Sequence, residues 1–376
     1  MIDIVEVKSK REFRQFIKLP NLIYRDDPCY VPELYVSQKK MFDRKRNPFF
    51  EHSKVDFFLA MKENQSVGRI ALIRNNIHIQ ITGEHCGFFG FFDVIDDFEA
   101  ARALLDKAVE WIKNEGLAAL TGPENFTTND SCGTLISGFN SPPAVMMPYN
   151  KQYYNDFLTR YGFGKVMDLS SWFIDDQILK SPYIERIVRR STDHLSASGI
   201  IVRPINFKIF DKEISALREV YNQSNKDNWG FLPLTEKEFR ETAQQLRQFV
   251  PEKLVLMVEK EQQIIGFIVS IPDLNQVLIH IKSGKLLPFG FLKLLWYRRK
   301  IRKARVLILG ILDEYRNKGI DIVLYKKIQE NLATLDIYQV EACYIMEDNV
   351  KMLSIMRKIG VTEVKKYRLY RFEVVA

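Results

Sequence analysis

Two patterns of apolar and polar positions alternate along the chain. Short runs such as 57–61 and 255–258 are almost wholly apolar and lead through a polar turn into a second apolar run, which predicts β-hairpins. Longer stretches such as 98–115 and 320–335 repeat apolar residues at intervals of three and four, which predicts amphipathic helices. Strands that alternate with helices predict an α/β protein with mixed sheets.

The same order of elements occurs twice. The hairpin around Gly68 resembles the one around Gly266, and the helix that ends at Gly162 resembles the one that ends at Gly360. Both pairs of glycines are 198 residues apart. Two matches at one spacing predict a duplicated domain. We expect a first domain over 1–180, a connecting helix over 181–199 and a second domain over 200–376.

The composition is that of an ordinary globular protein, and its positive charge is local. Of 376 residues, 46% are hydrophobic and 27% are charged, with a formal net charge of +8. No Asp or Glu lies between Leu274 and Leu312, whereas nine Lys and Arg residues lie there, between 282 and 305. We call residues 282–305 the basic segment. Without it the chain is nearly neutral, so the charge is not a property of the whole protein.

The cysteines and the apolar stretches bear on the compartment. The four cysteines are scattered and lack metal-ligand spacing, which predicts no metal site, no disulfide scaffold and a reducing environment. The N-terminus has no apolar signal-peptide core. The longest apolar stretch, Leu286 to Trp296, is too short to span a bilayer. We therefore expect a cytoplasmic protein.

A candidate anion site lies in the second half. An apolar strand over 304–312 leads into the turn Arg316-Asn317-Lys318-Gly319-Ile320-Asp321 and then into a helix. A glycine turn at a helix start presents unpaired N–H groups and the positive end of the helix dipole, which suits a pyrophosphate. Arg316 and Lys318 add charge, and Gly319 permits close approach. A plain strand-to-helix connection would have a similar sequence.

This turn resembles motif A of the GNAT (N-acetyltransferase) superfamily, in which an Arg or Gln precedes spaced small residues. Arg316 and Gly319 match, whereas Asp321 replaces the last small residue. The whole chain resembles a bacterial family of tandem GNAT-like acyl-CoA N-acyltransferases. The motifs that carry this resemblance include Tyr24-Arg-Asp-Asp-Pro, Asn47-Pro-Phe-Phe-Glu-His and Gly122-Pro-Glu-Asn. The resemblance implies an α/β (α+β) fold of two tandem GNAT-like domains, each a mixed, mostly antiparallel sheet flanked by helices.

The resemblance also implies a function and a set of site residues. It implies transfer of an acyl group from acetyl-CoA or a longer acyl-CoA to a small-molecule or peptide amine, with CoA held by the second domain. The residues implied for the cofactor are Leu309, Ile311, Leu312, Arg316, Asn317, Lys318, Gly319, Ile320 and Asn349. The implied catalytic candidates are Glu347, Glu341 and Tyr344, with His280 as a further base. The expected acceptor contacts are Asn125, Thr128, Asn129, Tyr149, Trp229 and Phe231.

Three departures from the superfamily pattern keep alternatives open. Met356 stands where many GNAT enzymes have a tyrosine that protonates the leaving thiolate, and Asp321 is a poor neighbour for phosphates. The first half is acidic and free of glycine at the equivalent turn, residues 93–99, so we do not expect it to bind CoA. A non-catalytic CoA- or ligand-binding protein is therefore the rival hypothesis, and a tRNA-dependent aminoacyl transferase of similar architecture is a third.

The basic segment has several interpretations. It could steer the 3′-phosphate of CoA, lie on an anionic membrane or gate a long acyl chain, or contact tRNA. A solvated charged helix would need no partner at all.

Overall fold

The computed structural model describes residues 1–374, apart from the side chains of residues 176 and 179. The chain divides into two compact units. Unit 1 comprises Met1–Ser170, Val277–Arg298 and Lys365–Ala376, and unit 2 comprises Ser171–Gln276 and Arg299–Val364. No helix within residues 1–374 is long and apolar enough to cross a membrane.

Strands and helices alternate along the chain as the hydrophobic pattern predicts. The first half contains β1 (Asp3–Glu6), α1 (Lys10–Ile23), α2 (Tyr35–Met41), β2 (Ser53–Lys62), β3 (Gln65–Asn75), α3 (Asn76–Thr82), β4 (Cys86–Val94), α4 (Phe98–Asn114), β5 (Ala119–Gly122), β6 (Glu124–Asn125), β7 (Ser131–Cys132), β8 (Thr134–Ser137), α5 (Tyr153–Tyr161) and β9 (Gly164–Asp175). The second half contains α6 (Asp176–Leu179), α7 (Pro182–Ala197), β10 (Ile200–Pro204), α8 (Phe210–Asn225), α9 (Glu236–Arg247), β11 (Val255–Lys260), β12 (Gln263–Pro272), α10 (Asn275–Leu278), α11 (Gly290–Tyr297), β13 (Lys303–Ile311), α12 (Ile320–Ala333), β14 (Gln339–Met346), α13 (Val350–Lys358) and β15 (Thr362–Glu373).

The sheet of unit 1 has helices on both faces. Its strands lie in the order β1-β2-β3-β4-β5-β15, and β8 also pairs with β15. Only the pair β4–β5 is parallel among those described. Along β3, Ile70 and Leu72 pack into one apolar cluster with α4 and α5, whereas Ala71 and Ile73 pack into another with α1. Successive strand residues point to opposite faces, so each face receives its own core.

The sheet of unit 2 follows the same plan. Its strands lie in the order β9-β14-β13-β12-β11-β10, where β9 contributes residues 171–175. The strands β10 to β13 are antiparallel, and β13 is parallel to β14. Helix α8 packs on β12 and β13, and α7 packs on α12. The apolar positions that predict α12 are all buried: Ile320, Val323, Leu324, Ile328 and Leu332.

The repeat is visible at the level of single residues. The β2–β3 hairpin has a bulge between Ala60 and Met61, and the β11–β12 hairpin has one between Val258 and Glu259, 198 residues later. The turn residues with positive φ correspond in the same way, Glu63 and Asn64 in the first hairpin and Glu261 and Gln262 in the second. An inserted residue strengthens the local twist of a strand, so both hairpins bend at the same place.

The C-terminal strand completes the sheet of the first unit. From Lys365 onward, β15 belongs to unit 1, where it pairs with β5 and β8. Lys365 is 2% exposed, and its Nζ donates to the carbonyl oxygen of Ser141 at 2.7 Å. The domains over 1–180 and 200–376 stay a prediction, and the two compact units differ from them in bounds, because residues 171–175 belong to unit 2 and the chain from Lys365 belongs to unit 1. The predicted connecting helix corresponds to α7, which is part of unit 2.

Candidate functional site

The parallel strands β13 and β14 separate halfway along their length. Among the described residues, their pairing covers four positions and ends with Val306 opposite Ala342. Leu307 follows as an extra residue in β13, with no opposite residue in β12. Such a bulge bends its strand and ends pairing. Residues 304–306 are all buried, whereas residues 307–309 are only half-buried. One edge of β13 is therefore open beyond Val306.

An exposed turn joins the open strand to α12. Asn317 and Gly319 both adopt left-handed φ angles, +62° and +78°, and α12 begins at Ile320. No side chain within the described residues caps this end of the helix. The first four N–H groups of a helix have no partner inside it, and they carry the positive end of the helix dipole. The turn therefore has the features of an anion site.

Arg316 holds the turn in place. Its Nη2 donates to the main-chain oxygen of Ser224, at the end of α8, at 2.7 Å. Its Nε donates to the oxygen of Ile311 at 3.3 Å, and the guanidinium pairs with Asp313 at 3.0 Å. The Arg316 guanidinium thus contacts three oxygen acceptors within unit 2. Arg316 was expected to add charge for an anion, and the contacts show that it also fastens the turn to α8.

Lys318 is the second cation of the turn. It is exposed, and its Nζ lies 4.7 Å from the centre of the Tyr315 ring. Lys351 Nζ, from α13, donates to the side-chain oxygen of Asn317. Two ammonium groups therefore lie at a turn whose main-chain N–H groups also favour negative charge.

Gly319 has a packing role as well. An ideal Cβ at this position would overlap Ser191 Oγ and lie 2.8 Å from Ser191 Cβ. Ser191 belongs to α7, so this helix brings a hydroxyl to the start of α12, next in sequence to Arg190. Sequence reasoning missed Ser191, because the contact joins residues 128 positions apart and no motif links them. The available signal in the sequence was the set of basic residues in this helix, Arg186, Arg189 and Arg190.

The whole chain is similar to two bacterial proteins. It is 32% identical to Protein YghO of Escherichia coli strain K12, over 97% of this chain and 94% of that protein. It is 30% identical to the bacterial ceramide synthase of Caulobacter vibrioides, over 98% of this chain and 97% of that protein. No family model matches the chain.

Solved structures share the fold over the full length. A tandem GNAT protein from the clavulanic acid biosynthesis pathway matches with a TM-score of 0.59 at 13% identity, over 100% of this chain and 99% of that one. A GCN5-related N-acetyltransferase from Sphaerobacter thermophilus matches with a TM-score of 0.54 at 12% identity, over 100% and 96%. The chain belongs to the family of YghO and the Caulobacter ceramide synthase. Its fold is that of the tandem GNAT proteins. The resemblance and the tandem mixed-sheet fold predicted from the sequence are confirmed.

Two of the catalytic candidates, Glu341 and Tyr344, lie within the sheet of unit 2. Glu341 is half-buried, accepts a hydrogen bond from the Ser171 hydroxyl and lies opposite Arg305 on β13. The Arg305 guanidinium lies 5.8 Å from the centre of the Tyr344 ring. Burial raises the pKa of the neighbouring Cys343 thiol to about 11, so it stays protonated at neutral pH. Glu341 is thus engaged inside the sheet.

The remaining candidates have separate places. Glu347 is exposed at the end of β14, and Asn349, expected near the cofactor, caps α13 through its side-chain oxygen. Met356 is 3% exposed within an apolar cluster of unit 2. His280 lies in unit 1, where its ring stacks on Tyr297 at 3.9 Å. Of the two candidate carboxylates, Glu341 and Glu347, the structure therefore places Glu347 at the open end of β14, next to the exposed Asp348.

The strand positions expected to bind the cofactor differ in availability. Leu309 is half-buried next to the open edge, and Ile311 is buried opposite Gly266. The N–H of Leu312 donates to the oxygen of Ile265 at 3.0 Å, so it has no free donor to offer. The part of β13 that could bind a ligand is the half-buried stretch that begins at the bulge, residues 307–309.

The end of α8 approaches the same strand. A Cβ at Gly310 would lie 2.6 Å from the hydroxyl oxygen of Ser224. Asn222 Oδ1 is buried, without a hydrogen-bond partner among the described residues. The predicted acceptor residues follow in the next loop: Trp229 is half-buried, and Phe231 packs on Tyr221 with ring centres 5.5 Å apart. Ser224 and Asn222 were not predicted, because helix periodicity shows burial but not which polar atom lacks a partner.

In unit 1 the corresponding space between strands is filled. A Cβ at Gly90 would overlap the main-chain oxygen of Glu124, so β4 and β6 lie in direct contact. The N–H of Phe91 donates to Asn125 Oδ1 at 2.7 Å. The start of α4 is capped as well, because the Asp97 side chain accepts from the N–H of the second residue of the helix. Asn125 thus satisfies a strand N–H of its own unit.

The other acceptor candidates of unit 1 also have partners nearby. The N–H of Asn129 donates to the hydroxyl of Thr127 at 3.2 Å, and the oxygen of Thr128 lies 4.0 Å from the Cys132 sulfur. The Tyr149 hydroxyl donates to Asp27 Oδ1 at 3.0 Å. These contacts stabilise the loop, and its role in acceptor binding stays a prediction.

Proposed function

We propose that this protein is a CoA-dependent N-acyltransferase in which unit 2 holds the acyl-CoA. The observation that carries the proposal is the separation of β13 from β14, which leads into the uncapped start of α12. The turn N–H groups and Lys318 fit a pyrophosphate, since an anion there meets both the helix dipole and an ammonium group. The open edge of β13 fits an extended ligand with amide groups, because an unpaired strand edge offers donors and acceptors in register.

The chain's own residues have defined roles in this proposal. Bound acyl-CoA would supply a thioester. The amine nitrogen would form a bond to the acyl carbon, the carbon–sulfur bond would break, and coenzyme A would leave as a thiol or thiolate. N–H groups of β13 just beyond Leu307 would orient and polarise an oxygen placed against them. Glu347 would accept the amine proton directly or through water, since it is the candidate carboxylate that is exposed at the open end of β14. Glu341, engaged by Ser171, would act on the position of β14 instead.

We further propose that the acceptor is a long-chain amine. A relative with 30% identity over nearly the full chain is named a ceramide synthase, and a ceramide is a long-chain amino alcohol acylated on nitrogen. Asn222 Oδ1 supports this proposal as an unsatisfied acceptor at the end of α8, close in sequence to the Ser224 hydroxyl that borders β13. A buried amide oxygen without a partner gains a hydrogen bond when an N–H or O–H donor arrives.

Unit 1 would not hold a second CoA. Asn125 occupies the N–H of Phe91, Gly90 brings β4 against Glu124, and Asp97 caps α4. Each feature removes one part of the anion and strand-edge site that unit 2 retains.

The rival function, a CoA-binding protein without catalysis, has one specific observation in its favour. Met356 is buried among apolar side chains. It stands at the position where many GNAT enzymes have the tyrosine that protonates the leaving thiolate. A thioether cannot donate a proton. Under this hypothesis CoA binds, but no acyl group is transferred to any amine.

Ligand binding and transfer test the two hypotheses separately. If unit 2 holds CoA, then CoA, acetyl-CoA or palmitoyl-CoA should raise the thermal unfolding midpoint of the full chain, because a ligand stabilises the state that it binds. Lys318→Glu should weaken binding about tenfold or more, since a hydrogen bond to a charged group contributes roughly 1.5–3 kcal/mol. Lys208→Glu is the matched control, with the same charge change at an exposed position away from the turn.

Release of free thiol with a long-chain amino alcohol as acceptor then tests the reaction. No thermal shift with any of the three ligands would reject the proposal. Equal binding by the Lys318→Glu and Lys208→Glu variants would exclude the turn as the site. Binding without thiol release would favour the rival.

A further inference from the structure

The basic segment contains a short helix with an exposed apolar surface. Only Gly290 is buried among the eight residues of α11. Large apolar side chains in the helix and just before it are between 41% and 77% exposed: Leu287, Phe289, Phe291, Leu292, Leu295 and Trp296. Clustered exposure of this kind marks an interaction surface, whereas single exposed apolar residues do not.

This surface is held to unit 1 by contacts before the helix and within it. Before the helix, the oxygen of Gly284 accepts the N–H of Tyr35 at 2.9 Å. Within the helix, Lys293 Nζ donates to the oxygen of His280 at 2.9 Å, and the ring of Tyr297, the last helical residue, stacks on the His280 ring. The apolar side chains are therefore presented from a fixed base.

Positive charge surrounds the apolar side chains. The helix and its flanks carry exposed Lys285, Lys293, Arg298, Arg299 and Lys300, in a stretch of chain that has no Asp or Glu. Lys285 also lines a cavity of about 730 Å³ in unit 1. The other charged residues that line this cavity are Lys8, Lys10, Arg14, Lys18, Lys39 and Arg44, with Asp43 as the single acid. An apolar surface alone would suit many partners, but this charge requires an anionic one.

We propose that α11 and the basic residues around it dock this protein on the surface of an anionic lipid bilayer. Trp and other aromatic side chains favour the boundary between headgroups and acyl chains, and neighbouring Lys and Arg residues attract anionic headgroups. A helix of two turns with apolar residues on most sides can lie in this boundary without spanning the bilayer. The proposal goes beyond acyl transfer and does not depend on it, although a bilayer is where a long-chain acceptor would be found.

Vesicle sedimentation tests the proposal with the full chain. The protein should bind vesicles of phosphatidylglycerol and phosphatidylcholine, and should bind phosphatidylcholine vesicles at least about tenfold more weakly. The double variant Leu287→Ser, Leu292→Ser removes two leucine side chains from the bilayer. Each replacement should weaken vesicle binding about tenfold or more. Its control is Ile81→Ser with Ile209→Ser, which removes two exposed apolar side chains elsewhere.

A charge variant tests the electrostatic part. Lys285→Gln, Arg298→Gln and Arg299→Gln together should weaken binding on the order of a hundredfold, since each basic residue near an anionic surface contributes roughly fivefold. The control removes three exposed lysines outside the basic segment, Lys113, Lys208 and Lys212. Circular dichroism and the thermal midpoint of each variant establish that it is folded.

Three outcomes would overturn the proposal. The first is no binding to anionic vesicles, or equal binding by variants and controls. The second is a dimer that dissociates when Leu287 and Leu292 are replaced, without vesicle binding, which would assign the surface to a second copy of the chain. The third is binding of tRNA instead of vesicles, lost in the charge variant. The Lys318→Glu variant distinguishes failure of the membrane proposal from failure of the CoA proposal. It should lower the affinity for CoA without changing vesicle binding.

Discussion

Replacing Gly319 by alanine would separate two reasons for a glycine at the start of α12. The first is backbone conformation, because a φ of +78° costs a residue with a side chain roughly 1–2 kcal/mol. The second is packing, because the new methyl group would overlap Ser191 Oγ and lie 2.8 Å from Ser191 Cβ. Forcing an extra carbon into a packed contact costs about 1–3 kcal/mol. We expect Gly319→Ala to lower the free energy of unfolding by roughly 2–5 kcal/mol in total.

Gly360 is a matched control for the first reason. Its φ is also +78°, and an ideal Cβ there would meet nothing within 4 Å. Gly360→Ala should therefore cost only the conformational part, about 1–2 kcal/mol. Ser191→Gly removes both atoms that the methyl group at 319 would meet. In the Gly319→Ala background it should recover the packing part, about 1–3 kcal/mol.

The assay is urea unfolding of the full chain, followed by tryptophan fluorescence, for the four members of the Gly319 and Ser191 cycle and for Gly360→Ala. The coupling between positions 319 and 191 is the quantity of interest. Strictly additive effects, or a Gly319→Ala loss no greater than that of Gly360→Ala, would refute the packing argument. If the double variant recovers stability but not CoA affinity, the glycine is required for ligand approach as well.

Two further predictions concern the filled space in unit 1. Asn125→Ala should lower the free energy of unfolding by about 1–3 kcal/mol, because the N–H of Phe91 loses its acceptor; a thermal-shift titration should show unchanged CoA affinity, and altered affinity would argue against unit 2 as the sole CoA site. Burial raises the pKa of Glu124 from an ordinary 4.5 to about 8, so the folded state binds more protons than the unfolded state between those values. Stability should therefore fall as pH rises through that window, by at most about 1.4 kcal/mol per pH unit, and level off above it. Urea midpoints across the window should show a flatter profile for Glu124→Gln, and an identical slope in both proteins would contradict the assignment.

Local features of the fold could be predicted from the sequence because they depend on near neighbours. The apolar runs and polar turns around Gly68 and Gly266 predict hairpins, and the structure places both with bulges 198 residues apart. The spacing of apolar residues from Ile320 onward predicts α12, and every predicted core position is buried. Gly319 in a strand-to-helix turn indicated an anion site, and it adopts the left-handed conformation that such a turn needs.

Other features were decided only by contacts between distant residues. Arg316 donates to Ser224, 92 positions away, and Gly319 packs against Ser191, so the turn depends on α8 and α7 as much as on its own sequence. The last strand, from Lys365, pairs in unit 1 although it follows the second repeat along the chain. Periodicity records which face of an element is apolar, whereas it does not record which other element covers that face or which carbonyl a guanidinium will reach. By itself the sequence determined the repeated plan, the turn at 316–321 and the lack of such a turn in the first repeat. The tertiary structure decided that the strand edge beside this turn is open in unit 2 and filled in unit 1, because that depends on which distant strands meet.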